Sequence, residues 1–149
     1  MQDKNVNHSC PASLMIENQL CFPLYACSRE IVKKYNPFLK KIGLTYTQYI
    51  VMMVLWEYDR VSVKELGEKL YLDSGTLTPV LKSLESKGLI SRNRSSEDER
   101  VLIVKLTESG DELKFRAEEI PGEMACSFKL TKEEAAELYR ILYKILGTQ

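Results

Sequence analysis

Four cysteines are the residues of this 149-residue sequence best suited to chemistry. Cys10, Cys21 and Cys27 lie near the start, and Cys126 stands far from them. Their spacings contain no Cys-x-x-Cys pair, and the only histidine, His8, lies in a polar stretch. We therefore expect no zinc site or other metal site, no Cys–His catalytic dyad and no cofactor. A reachable thiol that ionises readily can still react with an oxidant and serve as a sensor.

Cys21 is the cysteine best placed for such chemistry. Apolar residues recur at helical spacing over residues 17–42, so Cys21 falls near the start of a helix, where the dipole favours a thiolate. The alternative is that Cys21 is a small buried hydrophobic residue, the common fate of a free cysteine. Cys27 is a poor disulfide partner because six helical residues place it about 9 Å along the axis on another face. Nothing around Cys10 activates its thiol.

Small polar residues open a second informative segment, a helix predicted over residues 74–86 with Asp73 and Ser74 as its N-cap signal. Hydroxyl groups in its first turns are able to meet base edges or phosphate oxygens. They belong to Ser74, Thr76 and Thr78. Lys82 and Lys87, further along, are expected to contact phosphates. Pro79 is tolerated if it falls in or near the first turn.

A polar loop over residues 92–100 separates two short apolar runs, residues 89–90 and 101–104, which predict two strands. Arginine on a protruding hairpin is able to probe a narrow minor groove. The charged residues that we assign to DNA contact in this loop are Arg92, Arg94, Asp98 and Arg100. A helix, a short turn, a helix and a hairpin make a winged helix-turn-helix, although a capped surface helix followed by a charged turn remains the alternative.

Further helices flank this unit. Thr45 or Thr47 caps a helix to Tyr58, residues 61–63 form a brief extended link, and a short helix covers residues 64–70. Thr107 caps a helix to about Ile120, which Pro121-Gly122 breaks. Thr131 opens the last helix, whose apolar stripe from Leu138 to Leu146 needs a cover from a second copy or from the chain's own first helix.

The composition is that of an ordinary globular protein. It is 44% hydrophobic and 28% charged, with 21 basic and 21 acidic residues. Residues 60–106 carry nine basic and seven acidic residues, a mild positive excess in the predicted DNA-binding region. The longest apolar run, residues 49–56, has eight residues, so no membrane span is expected. No secretory signal is visible, and we expect a cytoplasmic location with free thiols.

These motifs resemble those of the MarR family of winged-helix repressors. Asp98-Glu99-Arg100 matches the family's wing signature, and Leu106-Thr107-Glu108-Ser109-Gly110 matches the stretch that follows the wing. The chain is most similar to the organic-hydroperoxide-responsive OhrR type. The matching segments are Leu20-Cys21-Phe22, Tyr25, Ser28-Arg29-Glu30, Leu72-Asp73-Ser74-Gly75-Thr76-Leu77-Thr78-Pro79 and Glu97-Asp98-Glu99-Arg100. The resemblance covers residues 17–122 and extends more loosely to the C-terminus.

The resemblance implies a mainly α-helical fold with a small β-hairpin wing, assembled as an intertwined homodimer on an inverted-repeat operator of double-stranded DNA. The expected organisation has four parts. They are a flexible tail (1–15), N-terminal helices for dimerisation and sensing (16–58), the winged helix-turn-helix lobe (59–106) and C-terminal dimerisation helices (107–149).

The resemblance also assigns the redox residues. Cys21 matches the peroxidatic cysteine, and Tyr35 and Tyr46 match two tyrosines whose hydroxyls hold it. Cys126 is a candidate resolving cysteine from the partner subunit; otherwise a low-molecular-weight thiol traps oxidised Cys21. Four apolar residues are expected to form a pocket for the alkyl chain of an organic hydroperoxide. They are Phe22, Leu24, Met52 and Trp56.

The function expected from this resemblance is a repressor that leaves its operator when an organic hydroperoxide oxidises Cys21. One alternative is a regulator of the same family controlled by a small-molecule ligand. Another is a broader regulator that senses general thiol stress. A third is a thiol peroxidase, which would use Cys21 without a DNA-binding surface.

Overall fold

The computed structural model describes residues 10–147, so His8 and most of the predicted tail lie outside the described residues. Two 3-10 turns, Ala12–Leu14 and Ile16–Asn18, come first. The Asn18 side chain donates a hydrogen bond of 2.8 Å to the carbonyl oxygen of Ala12, which ties the two turns together. The end of the predicted tail, residues 10–15, therefore includes a short structured turn.

Seven helices and three strands follow within the described residues. The helices are α1 (Cys21–Lys41), α2 (Tyr46–Tyr58), α3 (Val63–Leu70), α4 (Ser74–Ser86), α5 (Glu108–Ala117), α6 (Ile120–Ser127) and α7 (Lys132–Leu146). The strands are β1 (Arg60–Ser62), β2 (Ile90–Arg94) and β3 (Leu102–Leu106).

Helix α1 is the predicted first helix, but it begins at Cys21 rather than near residue 17. Pro23 lies in its first turn, where a missing N–H is tolerated. Pro37 lies inside the helix and does not end it. Gly43 follows with φ of +72°, a left-handed conformation that stops the helix as predicted.

Helix α2 forms the centre of the hydrophobic core. Thr45, not Thr47, is its N-cap, and Thr45 and Gln48 form a reciprocal capping box. Val51, Met52 and Leu55 are fully buried. Because α2 packs against α1, α3, α4 and α5, it connects the N-terminal region with the DNA-binding region.

The predicted hairpin is part of a three-stranded antiparallel sheet with strand order β1-β3-β2. The segment expected to be a brief extended link is therefore an edge strand. Val61 pairs with Val104, and Ile90 pairs with Leu106 at the base of the hairpin. Val61, Ile90 and Val104 are all buried, which joins the wing to the core.

The prediction that the fifth helix runs to about Ile120 and is broken by Pro121-Gly122 is wrong. Helix α5 already ends at Ala117, and Pro121 lies in the first turn of a further helix, α6, which the sequence pattern did not predict. A proline in a first turn removes a donor that has no partner within the helix, so it starts α6 rather than ending α5.

Helix α7 has no buried residue within a single chain. Its apolar stripe stays open, with Leu138 43% and Ile145 57% exposed. The alternative in which the stripe packs on the chain's own first helix is therefore wrong. Among residues 10–147, no helix is long and apolar enough to cross a membrane.

Candidate thiol site and nucleic-acid interface

Cys21 is the first residue of α1, and its side chain is exposed. This position excludes the alternative of a small residue buried within its own chain. Large apolar side chains surround it in sequence and are also exposed, with Leu20 77% and Phe22 43% accessible. A thiol among uncovered apolar side chains is open to attack by an oxidant and to cover by a second protein surface.

Tyr35 on α1 and Tyr46 at the start of α2 lie together, with ring centroids 5.0 Å apart. Tyr49 extends the cluster at 5.8 Å from Tyr35. Burial raises the pKa of Tyr35 and of Tyr46, and burial together with the two neighbouring phenols raises the pKa of Tyr49 to about 12. These phenols therefore stay neutral near pH 7 and are able to donate hydrogen bonds to an anion.

A single chain does not bring its own Cys21 to this tyrosine cluster. Fourteen helical residues separate Cys21 from Tyr35, which places them about 21 Å apart along α1. Cys126 lies at the tyrosine end, because Lys34 donates a hydrogen bond of 3.2 Å to the carbonyl oxygen of Ser127. A disulfide needs Cα atoms within about 7 Å. Cys21 and Cys126 of one chain therefore cannot form a disulfide without rearrangement of α1.

The predicted alkyl pocket does not form within one chain. Met52 is fully buried in the core, and Trp56 donates a hydrogen bond of 2.9 Å to the carbonyl oxygen of Gly110. Phe22 and Leu24 lie in the first turn of α1, and Phe22 is exposed. The apolar groove beside the tyrosine cluster has a volume of about 470 Å³. Its lining includes Tyr35, Pro121, Met124, Ala125, Phe128 and Leu130.

The first turns of α4 present the predicted hydroxyl groups at the surface. Ser74, Thr76, Thr78 and Lys82 are all exposed. The hydroxyl of Thr76 donates to Asp73 Oδ2 at 3.1 Å, and that of Thr78 donates to the carbonyl oxygen of Ser74 at 2.7 Å. Because the hydroxyl protons of Thr76 and Thr78 are donated within the helix and its cap, the hydroxyl oxygens of these residues are left as hydrogen-bond acceptors. Pro79 is the sixth residue of α4, later than expected.

Lys87 has a different place from the one predicted. Its ammonium donates to the carbonyl oxygen of Gly43 at 2.7 Å and to Gln48 Oε1 at 2.8 Å. The Gln48 amide donates in turn to Ser83 Oγ on α4 at 2.9 Å. Lys87 therefore fastens α4 to α2, and this geometry does not favour the predicted phosphate contact. Sequence reasoning missed Gln48, although the Thr-x-x-Gln pattern of a capping box was the available signal.

Arg92 is also held inside the protein. Its guanidinium contacts the Glu85 carboxylate at 2.6 Å and 3.1 Å, and its side chain is only 18% exposed. The Arg92 side chain lowers the pKa of Glu85 through these hydrogen bonds. This geometry does not favour the predicted DNA contact, because the pair joins strand β2 to helix α4.

Asp98 and Arg100 form the tip of the wing. The Asp98 carboxylate accepts two hydrogen bonds of 3.0 Å from the Arg100 guanidinium and one from its backbone N–H. This pairing lowers the pKa of Asp98 and raises the pKa of Arg100. The Arg100 side chain is 90% exposed, so Asp98 holds the Arg100 guanidinium at the surface of the wing. Arg94 donates to the carbonyl oxygen of Glu99 and shapes the same loop.

Within residues 10–147, no group of three or more His, Cys, Asp or Glu side chains is close enough to hold a metal ion. The site chemistry therefore has to be argued from thiols, phenols, hydroxyls and guanidinium groups.

Sequence comparisons agree on one class of protein. A family model described as the transcriptional regulator SarA/Rot family matches residues 33–116. The organic hydroperoxide resistance transcriptional regulator of Bacillus subtilis is 50% identical over 135 residues, which cover 91% of this chain and 92% of that protein. The HTH-type transcriptional regulator SarZ of Staphylococcus epidermidis is 45% identical over 123 residues, 83% of each chain.

Solved structures of AbfR from Staphylococcus epidermidis have the same fold in two redox states. Reduced AbfR bound to DNA is 36% identical, with a TM-score of 0.75 and coverage of 88% of this chain and 91% of that one. The disulfide form is 36% identical, with a TM-score of 0.61 and coverage of 88% and 89%. The chain described here is therefore more similar to the reduced, DNA-bound conformation than to the disulfide form.

Proposed function

The chain belongs to the MarR/SarA family of winged-helix transcriptional regulators, within the organic-hydroperoxide-responsive OhrR type, and from this premise we propose that it is a redox-responsive repressor. It binds an inverted-repeat operator as a homodimer and leaves the DNA when an organic hydroperoxide oxidises Cys21. A bacterial repressor meets its operator in the cytoplasm, and we place the protein there.

One observation carries this proposal: an exposed thiol begins α1 in a chain that is 50% identical to a regulator of organic hydroperoxide resistance. The comparison with AbfR supports it, because a similar fold occurs both in a reduced DNA complex and in a disulfide form. The exposed hydroxyls of α4 and the projecting Arg100 supply a surface suited to DNA.

We place the redox site at the dimer interface. The thiol lies about 21 Å along α1 from Tyr35, so the phenols that hold a Cys21 thiolate come from the other subunit. The open apolar side chains around Cys21 and the open stripe of α7 are the surfaces that the two subunits bury. In this arrangement Cys21 of one subunit approaches Tyr35, Tyr46 and Cys126 of the other.

The proposed chemistry starts with the Cys21 thiolate, which attacks one oxygen of the peroxide bond. The S–O bond forms while the O–O bond breaks, and the alkoxide takes up a proton and leaves as the alcohol. The sulfenic acid then reacts with the thiol of Cys126, or with a low-molecular-weight thiol. This step forms an S–S bond and releases water, and it moves the start of α1 away from the phenols.

DNA release follows from geometry. Both halves of an inverted repeat must be contacted together, with the two DNA-reading helices roughly 34 Å apart. A change in the relative position of the two lobes weakens one half-site contact. A loss of a few kcal/mol of binding free energy is enough to empty an operator. For comparison, a single mismatched base pair in the site costs about 1–3 kcal/mol.

Gel retardation on the chain's own upstream region, with and without cumene hydroperoxide and dithiothreitol, tests the proposal. We expect the wild-type protein to bind when reduced and to leave the DNA after oxidation. Cys21→Ser keeps DNA binding and loses the response, while Cys27→Ser, an exposed thiol on the same helix, keeps both. Peroxide-dependent release that persists in Cys21→Ser contradicts the proposal.

Cys126→Ser separates the two routes of resolution. If Cys126 resolves, oxidised wild-type protein runs as a covalent dimer on a non-reducing gel, and Cys126→Ser does not. If a small thiol traps Cys21, the variant still leaves the operator and gains the mass of that thiol.

The same experiments test the alternative functions. A regulator controlled by a small ligand releases DNA upon addition of that ligand even in Cys21→Ser. We propose that the protein is not an enzyme, and a thiol peroxidase would instead consume peroxide catalytically with a reductant and show no retarded operator band.

A further inference from the structure

A hydrogen-bond node around the buried Gln48 joins α2 and α4 with the connection that follows α1, and it lies between the tyrosine cluster and the DNA-reading helix. We define the Gln48 node as Gly43, Thr45, Gln48, Ser83 and Lys87. Gln48 is only 6% exposed, and both ends of its side-chain amide form hydrogen bonds. Its Oε1 accepts from the Lys87 ammonium at 2.8 Å and from the Thr45 N–H at 3.1 Å. Its Nε2 donates to Ser83 Oγ at 2.9 Å.

The node resists separation of its helices. A buried amide that loses its hydrogen-bond partners costs free energy, since water does not replace them. Lys87 also bonds the carbonyl oxygen of Gly43 at 2.7 Å, so the C-terminal end of α4 is tied to the connection between α1 and α2. A shift at the start of α2 is therefore transmitted to α4 instead of being absorbed between them.

The tyrosine cluster adjoins this node directly. Tyr46 is the first residue of α2 and lies between Thr45 and Gln48 in the capping box. Its ring contacts that of Tyr35 at 5.0 Å, and Tyr35 lines the groove beside α6. Displacement of the two phenols therefore moves the turn that holds Gln48.

The length of α4 amplifies such a movement. Ser86 at the end of α4 lies about 18 Å along the helix axis from Ser74 at its start. A tilt of about 5° at the Gln48 node moves the first turn by roughly 1.5 Å, more than the width of the distance range in which a hydrogen bond forms. The exposed groups at that end are those of Ser74, Thr76 and Thr78.

We propose that the Gln48 node, with Gln48 as its positioning residue, couples the Tyr35–Tyr46 pair to the DNA-reading helix α4. Gln48 does not touch DNA or peroxide; it sets the orientation of α4 according to the state of the phenols. This inference rests on the proposed redox-responsive repression, and it assigns the route by which oxidation reaches the DNA-binding surface.

The test measures operator Kd for oxidised and for reduced protein and takes their ratio for each variant. Ser83→Ala removes the acceptor on α4 and leaves the capping box of α2 intact, and Lys87→Met removes the ammonium. Ser86→Ala is the matched control, because its hydroxyl bonds the carbonyl oxygen of Ser83 on the same helix and does not reach α2.

We expect the ratio of Kd values to fall at least about five-fold in Ser83→Ala and in Lys87→Met, the lower end of typical coupling between sites. Ser86→Ala keeps the wild-type ratio. Gln48→Glu, which retains the acceptors for Lys87 and Thr45, stays closer to wild type than Gln48→Leu does. The pair Ser83→Ala and Lys87→Met together gives less than the sum of the single effects, because both act through one node.

Two results overturn the inference. One is an unchanged ratio in Ser83→Ala, Lys87→Met and their combination. The other is an equal loss of affinity in both redox states, which indicates a purely structural role. Failure of the proposed function is recognised separately, because then the wild-type protein itself binds its operator equally well before and after oxidation.

Discussion

At the scale of single residues, the role that we propose for the tyrosine cluster is to donate hydrogen bonds to the Cys21 thiolate. A phenol donates a hydrogen bond only while it is protonated, and burial raises the pKa of both Tyr35 and Tyr46. Neutral donors stabilise an anion without adding charge to an interface. Because ionisation of a buried phenol is unfavourable, the same burial makes the stability of the folded protein depend on pH under alkaline conditions.

Removal of one phenol hydroxyl tests the thiolate contact. We expect Tyr46→Phe to slow the oxidation of Cys21 by cumene hydroperoxide about ten-fold or more, because a hydrogen bond to a charged group contributes about 1.5–3 kcal/mol. The rate of sulfenic acid formation is the measurement. Tyr58→Phe is the control, since the Tyr58 ring is exposed at the far end of α2 and lies under the Lys69 ammonium. Equal rates in wild type and Tyr46→Phe contradict the role.

The pH dependence of stability follows from the same cluster. Tyr49 ionises near 10.0 when unfolded, and burial raises its pKa to about 12 in the folded protein. The folded state therefore holds this proton more tightly, so the stabilisation is complete below pH 10 and is lost as pH rises toward 12. Urea titrations at several pH values should show the free energy of unfolding falling across this window. Tyr49→Phe should flatten the fall, and an unchanged slope would be evidence against it.

At the scale of elements, the wing is built from two ion pairs with different tasks. Arg92 and Glu85 join β2 to α4, so the wing and the reading helix keep a fixed relation. Asp98 and Arg100 stay at the exposed tip, where a surface pair contributes little to stability. We therefore expect the tip pair to act in DNA contact and the inner pair to align the wing with α4.

Substitution of the tip arginine tests the DNA contact. We expect Arg100→Ala to weaken operator binding about ten-fold or more and to reduce the dependence of affinity on salt by about one counterion. Titrations of operator DNA by fluorescence anisotropy at several salt concentrations give both quantities. Arg140→Ala is matched to it, because Arg140 also forms an exposed pair with a nearby carboxylate, Glu137, but lies on α7. An equal effect of the two variants refutes the contact.

At the scale of the whole molecule, one chain leaves too much apolar surface open to stand alone. The N-terminal turns expose Leu14, Ile16 and Leu20, and α7 exposes Ile141 and Ile145. These surfaces belong to the two ends of the chain, so a twofold partner that covers one end is able to cover the other as well. One twofold dimer then accounts for the cover over both ends of the chain, for the placement of Cys21 and for the spacing of the DNA-reading helices.

A charge placed in the α7 stripe tests this assembly. We expect Ile141→Lys to shift the protein from dimer to monomer in size-exclusion chromatography with light scattering, because a buried unpaired charge is strongly unfavourable. Operator affinity should fall with it, since a monomer contacts one half-site. Lys144→Glu on the polar side of the same helix should remain dimeric. A dimeric Ile141→Lys variant with full operator affinity excludes α7 from the interface.

Much of the fold was predictable from local signals. Capping patterns at Thr45, Thr107 and Thr131 and the apolar spacing between them marked most helices, because capping and periodicity act over a few residues. Helix α6 was missed because Pro121-Gly122 reads as a stop, whereas only its position after Ala117 makes it a start. Residues 61–63 were predicted only as an extended link, because three residues form a strand only when a partner, β3, lies beside them.

The sequence by itself determined the winged-helix order, the hydroxyl-rich first turns of α4 and the position of Cys21 at the start of a helix. Each of these depends on residues that are neighbours along the chain. Only the tertiary structure decided that Arg92 and Lys87 serve internal pairs and that Gln48 joins α2 to α4. These facts depend on distances between residues far apart in sequence, and such distances are set by packing of the whole chain.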